Sequence, residues 1–470
     1  MFFASDSICA IFNSARNHRH RMSTFQNSIL SKASTFGDAV ALLDRVSGLE
    51  VRYSGLASFL ASRLEGWHLE KDRPFATWAG PDFKHATLLL ALLAEDCLVA
   101  PLSPRLPEAE ALHRAESIGA GAFWKPEGLH QFVPVRSPIA PASAGTVLFT
   151  SGSSGSPRAV WHDLESHIAN ASGAAERIPL GPGCAWLLLL PLNHVSGFSI
   201  LIRCLLAGAT IVFPDKNAPF KTQIEDPVLT HLSVVGVQLR RLLAERASFS
   251  HLKAVLAGGG PIDASLVSDA IDVGVPLHLT YGMTEAASQI TTSECLQSVP
   301  HLIHAGKPLP GREVQISLDG EIRIRGEVLP KRIFFNECVL PALDDDGWFS
   351  TGDSGSFDAD GNLVVSGRRN RMFISGGENI CPEMIEALLT SHPDVRRVVV
   401  VGVPHEEFGA RPVAFVAGDV GHERLRDFLK SRLESFYVPD VFLPWPAEVS
   451  TEDAKVDFLF FSRLAQSLRL

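Results

Sequence analysis

Between Ala39 and about Phe213, apolar runs rich in β-branched and aromatic residues alternate with segments whose apolar positions recur at helical spacing. Ala39 to Leu43 and Phe75 to Trp78 read as strands, Tyr53 to Leu64 and Phe83 to Glu95 as helices. Helices following strands in this way cover a sheet on its faces, so the pattern predicts an α/β fold with parallel-type sheets. The short strands Val255 to Ala257 and Leu277 to Tyr281 each run into a Gly-rich or polar turn. Ligands of α/β folds gather beyond the carboxyl ends of such strands, and the chemistry is expected there.

After Gly311 the texture changes. Val314 to Ser317, Glu321 to Arg325, and Phe357 to Val365 around an Asp-Ala-Asp-Gly turn predict a small β subdomain. Beyond Arg368 a helix at Pro382 to Thr390, strands at Val398 to Val403 and Pro412 to Ala417, and a helix at Glu423 to Leu433 make a compact α+β pattern. The predicted division is a disordered extension over 1–21, a large N-terminal domain over 22–368 and a C-terminal lid over 369–470. In the extension, apolar Ile8 to Phe12 precedes the basic cluster Arg16 to Arg21, the reverse of the order in a secretory leader. Leu187 to Leu190 and Ile200 to Phe213 are apolar, but Pro191, His194, Arg203 and Pro214 interrupt them short of the ~20 residues of a membrane span. They read as buried strand and core helix.

At 470 residues, 46% of them apolar, the chain can fill the core of two or three domains. Charged residues make up 20%, with both signs interspersed and a net charge of −10, which argues against a nucleic-acid partner. The 7 cysteines show no C-x-x-C spacing, so a disulfide framework is not expected and a reducing cytoplasm fits.

Thr146 to Arg158 places an apolar strand ahead of a loop dense in hydroxyls and glycines that ends in a cation. Backbone amides freed by Gly152 and Gly155 can form an anion nest, and Thr150, Ser151, Ser153 and Ser154 add side-chain donors. A polyphosphate is the natural occupant. The loop matches neither G-x-x-x-x-G-K-[ST] nor G-x-S-x-G. It resembles the phosphate-binding signature of the adenylate-forming superfamily of acyl-CoA synthetases, luciferases and adenylation domains, with Arg158 in place of that family's usual Lys.

Further segments resemble the same family in the same order. Pro191-Leu-Asn-His-Val-Ser-Gly197 is similar to the element whose His, here His194, lies between acid and nucleotide. Gly258-Gly259-Gly260 and Thr280-Tyr-Gly-Met-Thr-Glu285 are similar to the adenine- and metal-binding elements. The resemblance implies Tyr281 and Gly282 at the purine, Thr284 at the α-phosphate and Glu285 on Mg²⁺, which prefers hard oxygen ligands. Asp353 in Trp348-Phe-Ser-Thr-Gly-Asp would accept the ribose hydroxyls, Arg368 would approach ribose or phosphate, and Asn370 stands at the hinge position. The family's last motif carries a lysine that bridges the acid and the α-phosphate; Lys455 is the lysine of Val449 to Asp457 and takes that role.

The resemblance spans nearly all of Phe25 to Leu470 and is nearest to the o-succinylbenzoate–CoA ligases, notably in Thr230 to Leu242, Gly306 to Val314 and Glu407 to Val413. It implies ATP, Mg²⁺ and coenzyme A, an acyl-adenylate, release of pyrophosphate and AMP, and a place in menaquinone biosynthesis. His194, Ser196 and Ser288 are candidate donors for the acid's second carboxylate. Another acyl- or aryl-acid CoA ligase, or a nucleotide-binding homologue impaired in catalysis, are the alternatives, and a homo-oligomer is compatible with each.

Overall fold

The computed structural model describes residues 25–125, 128–131, 144–151, 157–260, 262, 264–335, 338–340, 342–368, 373–380, 382–390, 392–447, 449 and 458–467. The predicted extension over 1–21 lies outside them. Two large sheets dominate. The nine-stranded sheet runs Lys307–Pro308, Ser288–Thr292, Leu277–Met283, Ala254–Ala257, His231–Val234, Ala185–Leu187, Thr210–Phe213, Val40–Asp44, Glu50–Arg52. Its central strands are parallel, while Glu50–Arg52 and Ser288–Thr292 pair antiparallel at the margins. The eight-stranded sheet is parallel around Phe75–Trp78 and antiparallel from Gly145–Ser151 outward through Pro157–Asp163 and Arg332–Phe335. Both sheets are thus mixed, where the sequence pattern predicts parallel ones. Short polar turns at the margins permit hairpins that periodicity does not distinguish from crossovers.

Helices Phe83–Ala94 and Val195–Ala207 are buried almost all round, which is why their sequences are apolar on every face. Their side chains join one core with Leu42, Trp186 and Ile211 of the nine-stranded sheet and Phe75, Val99 and Trp124 of the eight-stranded sheet. The run from Ile200 to Phe213 becomes the end of this helix and the strand Thr210–Phe213, with Gly208 at φ 79° closing the helix. Among the described residues no helix is long and apolar enough to cross a membrane.

A four-stranded antiparallel sheet, Arg312–Ile316, Glu321–Gly326, Phe349–Phe357 and Leu363–Arg368, forms the small β unit. The C-terminal lobe packs helices Pro382–Thr390 and His422–Lys430 on a hairpin, Val395–His405 with Gly409–Gly418, to which Val441–Pro444 adds a parallel strand. A last helix, Phe458–Gln466, inserts Phe461 against the other face of that hairpin.

Candidate active site

A cavity of about 880 Å³ opens where the strand ends of the large sheets meet the C-terminal lobe. Thr150 and Arg158 reach it from the phosphate-loop hairpin, and His194 and Ser196 from the start of the helix Val195–Ala207. Gly258, Gly259, Gly282, Thr284, Glu285 and Ser288 reach it from the ends of Ala254–Ala257 and Leu277–Met283 and the turn that follows. Thr150 and Arg158, which flank the hydroxyl-rich turn, therefore face one space with the Tyr-Gly-Met-Thr-Glu turn. Gly260, Tyr281 and Asp353 do not line it but adjoin lining residues in the chain, and the Tyr281 hydroxyl donates to Asp353 Oδ2 at 2.6 Å. Asp353 pairs with the backbone of Arg368 across adjacent strands. Gly152, Ser153, Ser154, Gly155, Asn370 and Lys455 lie outside the described residues, as do the side chains of Ser151 and Arg368.

The turn after Glu285 has a shape that non-glycine residues avoid: Ala287 has φ 52° and Ser288 φ 134°. Such conformations cost of order 1–3 kcal/mol each and persist where surrounding groups over-determine them. Here three side chains bind the turn's carbonyls. His162 Nε2–H donates to Thr284 O at 2.7 Å, Asn170 Nδ2 donates to Ala286 O and Gln289 O at 2.9 Å each, and Arg312 donates to Gln289 O. His162 is fully buried, and burial holds its pKa down to about 4, so it donates as the neutral ring. Its strand, Pro157–Asp163, also carries Arg158, so the same hydrogen bond ties that strand to the turn that presents Thr284 and Glu285. Backbone carbonyls as acceptors have no sequence signature, and these donors were not legible beforehand. Asn170→Ala leaves the buried Ala286 carbonyl without this donor and Gln289 O with Arg312 alone, a loss of about 1–3 kcal/mol. The variant is expected to melt several degrees lower and, well below its Tm, to exchange ATP with pyrophosphate about 10-fold more slowly. An unchanged exchange rate would show that the turn holds its shape without this donor.

Arg203 is the second group the sequence pattern did not mark as functional. It lies within the helix Val195–Ala207, is 5% exposed and lines the cavity. Its Nη2 donates to Gln289 Oε1 at 2.8 Å and Ser199 Oγ at 3.1 Å, and the guanidinium lies 4.8 Å from the Trp186 ring centre. Burial lowers its pKa to about 10, which leaves it charged at neutral pH. No carboxylate among the described residues forms an ion pair with it. A buried cation without an acid partner is costly, and one set in a cavity wall among Ser199, Ser288 and Gln289 is suited to an anion. The available signal was one cation in an otherwise apolar helix, which reads equally well as an interruption.

The C-terminal lobe completes the cavity with Ser375, Gly376, Gly377 and Glu378. Gly377 has φ +88°, and a Cβ there would sit 2.8 Å from Val235 Cγ2; a Cβ on Gly260 would sit 3.0 Å from Ile374 Cδ1. Close approach of the lobes thus depends on missing side chains. Across the seam His194 Nε2 lies 3.2 Å from Glu378 Oε2. Burial opposes charge on both, but their attraction prevails, raising the imidazole's pKa and lowering that of the carboxyl group.

The AMP-binding enzyme family matches residues 124–329, and its C-terminal domain matches 384–455. The 2-succinylbenzoate–CoA ligase of Salmonella typhimurium is 36% identical over 384 residues, 78% of this chain and 82% of the relative. The chain belongs to the AMP-binding enzymes. Within this acyl-adenylate-forming superfamily it is closely related to the o-succinylbenzoate–CoA ligases. A double mutant of o-succinylbenzoate CoA synthetase from Bacillus subtilis, bound to the product analogue OSB-NCoA, superposes with a TM-score of 0.78 at 26% identity, covering 90% of this AMP-binding enzyme and 95% of the relative. The same Bacillus enzyme bound to its acyl-adenylate OSB-AMP gives a TM-score of 0.64 at 26% identity over 88% and 93% of the two chains.

Proposed function

We propose that this AMP-binding enzyme ligates o-succinylbenzoate to coenzyme A through an acyl-adenylate, releasing pyrophosphate and then AMP, in menaquinone biosynthesis. The observation that carries the acid's identity is Arg203, a buried cation beside Ser288 and Gln289 on the same turn that presents Thr284 and Glu285. An acid whose reacting carboxylate lies at Thr284 can place a second carboxylate at Arg203, and an aromatic dicarboxylate meets both demands.

Carboxylates ionise with a pKa of about 4, so the acid attacks as its anion and needs no general base. The difficulty is the approach of two anions. Arg158 and Lys455 offset that repulsion, and Thr284 donates its hydroxyl toward the α-phosphate. Asp353, steadied by the Tyr281 hydroxyl, takes the ribose, with Arg368 beside it, and the hydroxyls and amides of Thr150 to Gly155 receive the outer phosphates. Glu285, a buried carboxylate in the cavity wall, fits Mg²⁺, and among the described residues no three His, Cys, Asp or Glu side chains converge as a ready-made metal cage. One carboxylate with the substrate's phosphates is the usual set for that ion, which would supply charge neutralisation.

The better superposition on the Bacillus enzyme with the CoA product analogue than on the same enzyme with its adenylate supports reading this lobe arrangement as the thioester-forming one. Asn370 is then the pivot. The test is pyrophosphate release with o-succinylbenzoate, benzoate and medium-chain fatty acids. We expect kcat/KM for o-succinylbenzoate to exceed that for benzoate by about 10²-fold or more, because a site built for a polar group rejects analogues that lack it. Turnover confined to fatty acids would reject the substrate. ATP binding without pyrophosphate release from any acid would reject the activity.

A further inference from the structure

Thioester formation must dispose of a proton. Coenzyme A presents a thiol of pKa about 8.5, of which only a few per cent is thiolate at neutral pH. Where the two lobes meet, the cavity holds four candidate acceptors: His194, Glu378, Glu434 and Asp440, the last already paired with Arg411. His194 is engaged with Glu378 at 3.2 Å, and its pKa is raised, so it is poorly placed to take another proton. Glu378 has the lowered pKa of a carboxylate that already faces a cation.

Glu434 differs. It stands at the start of the short turn Ser435–Tyr437 in the C-terminal lobe, is 9% exposed, and has no ion-pair partner among the described residues. Ser103 of the large domain lines the same cavity, and its hydroxyl favours the ionised Glu434 carboxylate. That hydroxyl accepts the backbone N–H of Arg105 at 3.2 Å. Burial, the largest effect, and the charge of Glu378 raise the Glu434 pKa, against the opposing effects of Ser103, His194 and Arg114. A carboxylate so raised is a better match to a thiol.

We propose that Glu434 accepts the thiol proton of coenzyme A in the second half-reaction. The S–H proton passes to a Glu434 carboxylate oxygen while sulfur bonds to the acyl carbon. The C–O bond to AMP then breaks, its electron pair leaves on the AMP phosphate, and Glu434 returns the proton to solvent after product departs. The proposal rests on the ligase reading above, and on Glu434 being brought to the cavity by the lobe arrangement that resembles the CoA-analogue complex.

The test uses the full-length enzyme supplied with preformed o-succinylbenzoyl-adenylate and coenzyme A, with ATP–pyrophosphate exchange measured in parallel. Glutamine retains an acceptor for Ser103 but takes no proton. Glu434→Gln is expected to slow transfer about 10²-fold at pH 7, within the range for general-base catalysis, with exchange unchanged. Its transfer rate should also rise about 10-fold per pH unit up to the thiol pKa, following bulk thiolate, where the parent enzyme levels off earlier. Glu434→Asp should recover part of the rate. Ser103→Ala, which removes the contact but keeps the carboxylate, should lose far less. If Ser103→Ala is the damaging change and Glu434→Gln transfers normally with an unaltered pH profile, Glu434 is only an interlobe contact and the proposal is overturned. Equal loss of exchange and transfer in Glu434→Gln also overturns it, while absence of exchange in the parent enzyme would instead reject the ligase reading.

Discussion

Replacing Arg203 with methionine is expected to lower kcat/KM for o-succinylbenzoate about 10²- to 10³-fold while leaving KM for ATP unchanged. A buried carboxylate deprived of its cation loses roughly 3–5 kcal/mol, and the substrate's non-reacting carboxylate would be in that position. Methionine keeps much of the side chain's length and apolar bulk, so the helix Val195–Ala207 should stay packed. Arg203→Lys should fall between, because an ammonium keeps the charge but loses the planar guanidinium that lies over Trp186 while one of its nitrogens reaches both Gln289 and Ser199. An aromatic keto acid lacking the second carboxylate should lose little in the methionine variant, so the preference between the two acids narrows. Pyrophosphate release with each acid measures this. Equal losses for both would mean that Arg203 acts by packing on Trp186, 4.8 Å away, and not by pairing with an anion.

Lys455→Ala is expected to slow adenylation by about 10² or more, as for removal of a preorganised transition-state donor. Thioester formation from supplied adenylate should be largely spared. The asymmetry follows from the chemistry of the two steps: the first brings a carboxylate against a polyphosphate, whereas the second expels AMP from an acyl carbon already bound to it. ATP–pyrophosphate exchange reports the first step alone, and thioester absorbance from preformed adenylate reports the second. Equal loss in both would remove Lys455 from the role.

Much of the fold was legible because its determinants are local. The strand Phe75–Trp78 and the helix Pro382–Thr390 fall at their predicted bounds, and Tyr53 and Phe83 open their helices as expected. The antiparallel margins were not, since hairpin and crossover are chosen by tertiary packing. The same division runs through the site. Thr150, Arg158, His194, Ser196, Thr284 and Glu285 belong to motifs with characteristic spacing, and they line one cavity together with Ser288. Asn170, His162 and Arg203 function through partners 86 or more residues away, among them Gln289 and Thr284. No local pattern encodes such a pairing, and an isolated polar residue in an apolar helix reads as an imperfection until its neighbours are known. Glu434 is similar: its meaning comes from Ser103 in the other lobe.

The seam at Val235 bears on speed as well as shape. With hydrogen atoms where other residues carry a Cβ, Gly377 and Gly260 let the surfaces interlock so closely that an added carbon makes Val235 or the tip of Ile374 give way. The fit of the lobes in this arrangement is then set in part by two backbone positions, one of them in the cavity wall itself. Turnover in such a machine can be throttled by crowding a joint, with every chemical group intact.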